Sequence, residues 1–235
     1  MRRCIVTGAT RGIGHAICEA LAGEYDIVGL ARTRPKGWAG DFIECDLSSF
    51  AGIEHACAAI SSYDHVWGLV NNAGIGAADS IGEIRLETLQ QVFTINAFAP
   101  AMLASSVSMR MNDGGRIMNV CSSAMLGKPE RTAYGSSKAA LASMTRTWAL
   151  ELAPRGITVN AVSPGPIETE LFRDRNPKGS PGEQSALAAS PMHRLGTPAQ
   201  VAALVRLLMD PCADYTTGQI VGVDGGISAG PSSLL

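Results

Sequence analysis

"TGATRGIG", residues 7–14, sets three glycines and an arginine directly behind the apolar run Cys4-Ile5-Val6. After it, residues 13–22 carry Ile13, Ala16, Ile17, Ala20 and Leu21 at helical spacing. A strand, a glycine-rich turn and a helix start together build an anion site. Glycines let the backbone approach a pyrophosphate, and the unpaired N–H groups of the first helical turn carry about half a positive charge. The spacing is GxxxGxG (Gly8, Gly12, Gly14), not GxGxxG. No Lys-Ser/Thr ending follows, which counts against ATP or GTP.

Outward from this turn the pattern repeats. Strand-like runs occupy residues 4–7, 27–30, 42–45, 65–70, 116–120, 158–162 and 220–223. Helix-like spacing occupies 13–22, 50–60, 86–109, 134–153 and 199–209. Strands alternating with crossover helices predict a doubly wound α/β fold, a parallel sheet of about seven strands covered on both faces. One crossover is abnormal. "ARTRPKGWAGD", residues 31–41, holds Pro35, Gly37 and Gly40, so a loop is predicted there. The other irregular stretch, 164–197, has the length of a functional lid. Its "RDRNPKGSPGE" lacks apolar periodicity and predicts a segment that is mobile without ligand. Its "QSALAASPM" suits a short helix turning Leu187 and Met192 to a substrate.

The 235 residues suffice for one domain with a full core, read here as spanning 1–235 with a substrate loop at about 170–196. Net charge is −2 with both signs spread along the chain, and no basic patch interleaved with aromatics appears. Nucleic acid is therefore not an expected partner. No apolar run approaches the roughly 18 residues of a membrane span. The apolar part of "MRRCIV" is too short for a signal peptide, so a cytoplasmic protein is expected. Cys4, Cys18, Cys45, Cys57, Cys121 and Cys212 form no CxxC and read as packed reduced thiols. His15, His55, His65 and His193 lack metal-ligand spacing, and no metal is expected.

Further short motifs follow the other strands: "NNAG" at 71–74, "CSS" at 121–123, "YGSSK" at 134–138, "PGPIET" at 164–169 and "VDGG" at 223–226. In order and spacing the chain resembles the short-chain dehydrogenase/reductase family over nearly its whole length. The resemblance implies a Rossmann-like domain binding a nicotinamide dinucleotide across the carboxyl ends of the strands. It implies that Gly8, Thr10, Gly12, Ile13 and Gly14 hold the pyrophosphate, that Asp46 accepts from the adenine amine, and that Asn72, Ala73 and Gly74 line the adenosine ribose. Ile167 and Thr169 would hold the carboxamide end, with Leu47, Pro164 and Gly165 also touching the cofactor. Tyr134 would be the proton donor and acceptor, Lys138 would bond the nicotinamide ribose, and Asn96 would complete a proton relay.

Elementary chemistry supports those roles. A tyrosine of pKa near 10 exchanges protons poorly at neutral pH. Lys138 lies one helical turn from Tyr134, and a cation at ~4 Å favours phenolate by roughly 4 kcal/mol at an effective dielectric of ~20. Asn96 sits within the helical pattern 86–109, and Pro100 cannot donate to its carbonyl. Many members of the resembled family place the serine that polarises the substrate oxygen thirteen residues before the tyrosine, where this chain has Cys121. Counting from the strand "RIMNV" selects Ser122, with Ser123 the alternative. At the end of the second strand an acid would select NAD. Arg32 stands there, with Arg11 as a second cation and Arg34 or Lys36 as a third, so NADP(H) is predicted. Met102, Leu103, Met109, Met144, Trp148 and Leu152 do not fit one stripe, which predicts a homo-oligomer, with a tetramer favoured by the resemblance. The expected activity is reduction of a ketone or 3-oxoacyl substrate. Alternatives are a small polyol or sugar dehydrogenase and an idle NADP-sensing regulator.

Overall fold

The computed structural model describes residues 2–230; residues 1 and 231–235 of the domain read from the sequence lie outside the described residues. β1 (Arg2–Thr7), α1 (Gly12–Leu21), β2 (Tyr25–Ala31), β3 (Phe42–Glu44), α2 (Phe50–Ser61) and β4 (Val66–Asn71) form the first half. Next come α3 (Leu86–Phe93), α4 (Ala99–Ser108), β5 (Met111–Val120), α5 (Thr132–Leu152) and β6 (Thr158–Pro164). α6 (Glu170–Arg175), α7 (Pro181–Ala189), α8 (Pro198–Met209) and β7 (Ile220–Val223) complete it. The seven strands make one parallel sheet in the order β3-β2-β1-β4-β5-β6-β7. The chain winds outward from β1 in one direction, then returns to β4 on its other side. Connections diverge between β1 and β4, leaving a crevice above the strand ends.

Both faces are covered, so β4 and β6 are buried at every residue. Alternation along β1 serves two cores. Cys4 and Val6 pack with Ile17, Leu21, Val201 and Val205 of α1 and α8, while Ile5 packs with Ile53, Ile60, Leu103 and Val107 of α2 and α4. The expected loop replaces the crossover helix after β2. A Cβ added at Gly29 would meet Trp38 at 2.5 Å, so the indole of this loop lies against the bare backbone of β2.

Two expectations need correction. The helical pattern 86–109 is not one helix: a π-helical turn, Thr94–Phe98, separates α3 from α4, and the N–H of Ala99 bonds the Thr94 carbonyl five residues back. Pro100 offers no N–H, and the widened turn accommodates that loss. The segment "RDRNPKGSPGE" also has a local fold, because α6 lies partly within it. Thr169 caps α6 by accepting from the N–H of Phe172 at 3.1 Å. Arg173 then bonds both Glu168 and Glu183, and Arg175 donates to the Gly76 carbonyl at 2.8 Å. Charge pairing holds this stretch where apolar burial could not. Met192 is exposed and lines an open groove with Pro166, Gly196, Gln200 and the 222–226 turn.

Leu103 belongs wholly to the core, which removes it from the unmatched apolar set. Met102 (50% exposed) and Met109 (83%) stay outside, joined by Phe98 and Phe50, whose rings stack at 6.4 Å.

Candidate active site

Gly8 and Gly12 both take positive φ, +65° and +55°, a region that favours glycine. Gly14 is required for closeness instead. A Cβ there would stand 2.1 Å from the Gly8 carbonyl oxygen and 2.4 Å from Asn72 Nδ2. The glycine turn and the NNAG turn thus interlock. Asn72 Nδ2 donates to the Thr7 and Gly8 carbonyls at 2.9 and 3.3 Å. Thr7 Oγ1 accepts from the N–H groups of Asn72 and Ala73, both at 2.9 Å, and donates to the Val70 carbonyl at 3.4 Å. Sequence reading missed Thr7, whose signal was a hydroxyl at the last position of an apolar strand. No side chain caps the start of α1 and its first turn has no acid, so its N–H dipoles remain available to a pyrophosphate.

Arg32 follows β2 directly, is exposed, and has no carboxylate within ion-pair distance among the described residues. Hydrogen bonds from Ser48, and then the Arg32 charge, hold the Asp46 carboxyl below its usual range. Arg11 stands exposed, 3.8 Å from Glu170. Arg34 Nη2 donates to the Trp38 and Gly40 carbonyls of its own loop, which anchors the side chain there while its charge is retained. Leu47 is in the core, so any cofactor contact there passes through its backbone. Thr169 lies over the turn: a Cβ at Gly12 would sit 3.6 Å from its methyl. These groups fit a phosphorylated dinucleotide.

Asn96 and Lys138 converge on Gly74. A Cβ at Gly74 would lie 3.1 Å from Asn96 Oδ1 and 3.3 Å from Lys138 Nζ. Asn96 is fully buried in the π turn. Its Oδ1 accepts from the N–H of Ile75 at 3.0 Å, and its Nδ2 donates to the Ile75 carbonyl at 2.9 Å and to Ser137 Oγ at 3.0 Å. Those bonds use both amide N–H donors and one lone pair of Oδ1. Lys138, 4% exposed, donates to the Val120 carbonyl at 2.7 Å. Tyr134 is half-buried one turn earlier on α5, and its carbonyl accepts from Ser137 Oγ at 2.8 Å. A buried amide chain ties α5 to the sheet: Asn71 donates to Asn119 and Asn119 to Thr145, each at 2.9 Å. Neither Asn119, Thr145 nor Ser137 was legible as a support.

The family whose pattern fits residues 8–228 is described as Enoyl-(Acyl carrier protein) reductase. The chain is 35% identical to the 3-oxoacyl-[acyl-carrier-protein] reductase MabA of Mycobacterium tuberculosis, an alignment covering 97% of this chain and 94% of that protein. This chain belongs to the short-chain dehydrogenase/reductase family. Among solved structures of the family, it is similar to a short chain dehydrogenase family protein from Francisella tularensis, with TM-score 0.92 and 28% identity over 98% of this chain and 100% of that one. It is also similar to a blue fluorescent protein from a metagenomic library solved with NADPH, with TM-score 0.87 and 34% identity over 97% and 98%.

Ser122 is half-buried and its Oγ accepts from the N–H of Ala124 at 3.3 Å, capping a 3-10 turn at Ser123–Leu126. That bond occupies a lone pair and leaves the hydroxyl proton free to donate. Cys121 beside it is buried, and burial pushes its thiol up to about 11, against the lowering effect of Lys138 and Arg146. It therefore stays a neutral thiol at physiological pH.

Proposed function

We propose that this short-chain dehydrogenase/reductase is an NADP(H)-dependent oxidoreductase that reduces a ketone, with a 3-oxoacyl thioester as the favoured substrate. The observation that carries the reading is the meeting of Asn96 and Lys138 at Gly74, beside the glycine turn and one helical turn from Tyr134. The similarity to a 3-oxoacyl-[acyl-carrier-protein] reductase and to an NADPH-bound structure supports the substrate and the cofactor. Bound NADPH supplies the hydride. Tyr134 gives its phenolic proton to the carbonyl oxygen, and the Ser122 hydroxyl donates to the same oxygen, where negative charge develops. Lys138 stabilises the phenolate left behind, and the backbone carbonyl of Asn96 holds the water that returns a proton.

The test is NADPH oxidation by the purified protein against 3-oxoacyl thioesters and cyclic ketones, with sugars and NADP as the reverse panel. Turnover of a thioester supports the reading, and no turnover with any member overturns it. Cofactor choice has its own test. Arg32→Asp removes a charge-assisted bond and adds repulsion, so the NADPH/NADH ratio of kcat/KM should fall roughly ten- to a hundredfold. An unchanged ratio would remove Arg32 from the 2′-phosphate site. The exposed apolar face of Phe50, Phe98, Met102 and Met109 supports a homo-oligomer, and the family resemblance favours a tetramer. Sedimentation at micromolar concentration should give a multiple of the chain mass, and a monomer refutes it. Six unbridged cysteines suit the reducing cytoplasm.

A further inference from the structure

Lys128, Arg131 and Arg175 are scattered in the sequence, yet they share one edge of the site. The loop between β4 and α3 organises two of them. The Gly76 carbonyl accepts from Arg175 Nη2 at 2.8 Å, and the adjacent Ala77 carbonyl accepts from Arg131 Nη1 at 2.7 Å. Arg131 precedes Tyr134 by about 5 Å of helix axis, and Arg175 ends α6 on the lid. Lys128 is solvent-exposed and stands three residues before Arg131 in the loop leading into α5, at most about 11 Å away along the chain.

Among the described residues none of the three has a carboxylate within ion-pair distance. The contrast is Arg173, two residues from Arg175, which is paired with both Glu168 and Glu183. The nearby acids do not pair with them: Asp79 is buried, with Oδ2 accepting from the N–H of Ala133 at the start of α5 and Oδ1 without a partner, while Glu130 and Asp174 are exposed. Each guanidinium uses one of its five N–H groups on the loop and keeps the rest for a ligand. Three like charges held on one rim repel each other, and an anion relieves that cost.

We propose that Lys128, Arg131 and Arg175 form an anion-binding rim at the mouth of the reductase site, and that the substrate carries a phosphate or carboxylate on the chain bearing its reacting carbonyl. This rests on the reductase reading above. One helical turn plus two extended side chains puts the anion on the order of 10–20 Å from the Tyr134 hydroxyl. The phosphate of a pantetheine thioester arm falls in that range, as does the carboxylate of a long-chain oxo acid whose carbonyl lies about ten bonds away.

The test measures binding, without turnover, on protein saturated with NADP so that the cofactor's own phosphate site is filled. Wild type should bind 4′-phosphopantetheine about tenfold more tightly than pantetheine. The R131Q/R175Q double variant should bring the two within about twofold, with NADPH affinity as the check on folding. Should that variant fail to fold, K128Q/R175Q, which alters exposed residues alone, is expected to reduce the same preference by at least about threefold. A larger preference for 11-oxododecanoate over 2-dodecanone, whose carbonyl and chain end lie about ten bonds apart, would name a carboxylate instead of a phosphate as the source. Equal binding of charged and neutral probes by wild type, or a preference that survives both variants, overturns the rim. The carbonyl panel stands independently of either result, so a failed rim and a failed reductase reading are distinguishable.

Discussion

Tyr134→Phe should lower kcat about a thousandfold while leaving NADPH affinity within about twofold. The ring keeps its half-buried place on α5 and only the hydroxyl is lost. No other residue described around Gly74 replaces it as an acid. Lys138 is bonded to the Val120 carbonyl, and the Asn96 amide donors are taken by Ile75 and Ser137. Ser122 can donate a hydrogen bond but is too weak an acid to supply the proton at neutral pH. Stopped-flow hydride transfer and NADPH titration separate the two quantities. A near-normal kcat would show that the proton comes from elsewhere.

Gly14→Ala should weaken cofactor binding strongly through one methyl group. That carbon has no room: Gly8 O at 2.1 Å and Asn72 Nδ2 at 2.4 Å are parts of the two interlocked turns, so backbone must move. Overpacking of this kind costs about 1–3 kcal/mol, which lowers Tm by roughly 2–12 °C. The displaced N–H groups at the start of α1 should weaken NADPH binding by on the order of a hundredfold. Gly82→Ala is the control, because a Cβ there meets nothing within 4 Å. If Gly14→Ala matches that control in both Tm and NADPH Kd, the interlocked turn is not the pyrophosphate cradle.

The seven strands and the loop after β2 were legible because each rests on local rules. Parallel strands buried on both faces read as short apolar runs, and Pro35, Gly37 and Gly40 break any helix between β2 and β3. The break near Asn96 was half legible. Pro100 announces a missing hydrogen bond, but whether the chain kinks or widens into a π turn depends on what packs against it. α6 escaped notice because the contacts that place it, the Thr169 cap and the Arg173 bonds to Glu168 and Glu183, are polar, and a periodicity argument counts apolar residues only.

By itself, then, the order of residues determined the sheet, the glycine turn, the place of Tyr134 and Lys138 on one helix face, and the cation Arg32 where a phosphate is read. Each follows from spacing within one element or from what immediately follows a strand. Only the tertiary structure decided that Thr7 joins the glycine turn to NNAG, that Asn119 and Thr145 moor α5, that Arg34 turns away to its own loop, and that Lys128, Arg131 and Arg175 border one rim. Those outcomes depend on hydrogen bonds and charges between segments far apart in the chain. The partner of a polar side chain is chosen by which strands and loops come to lie side by side, and no local periodicity records that choice.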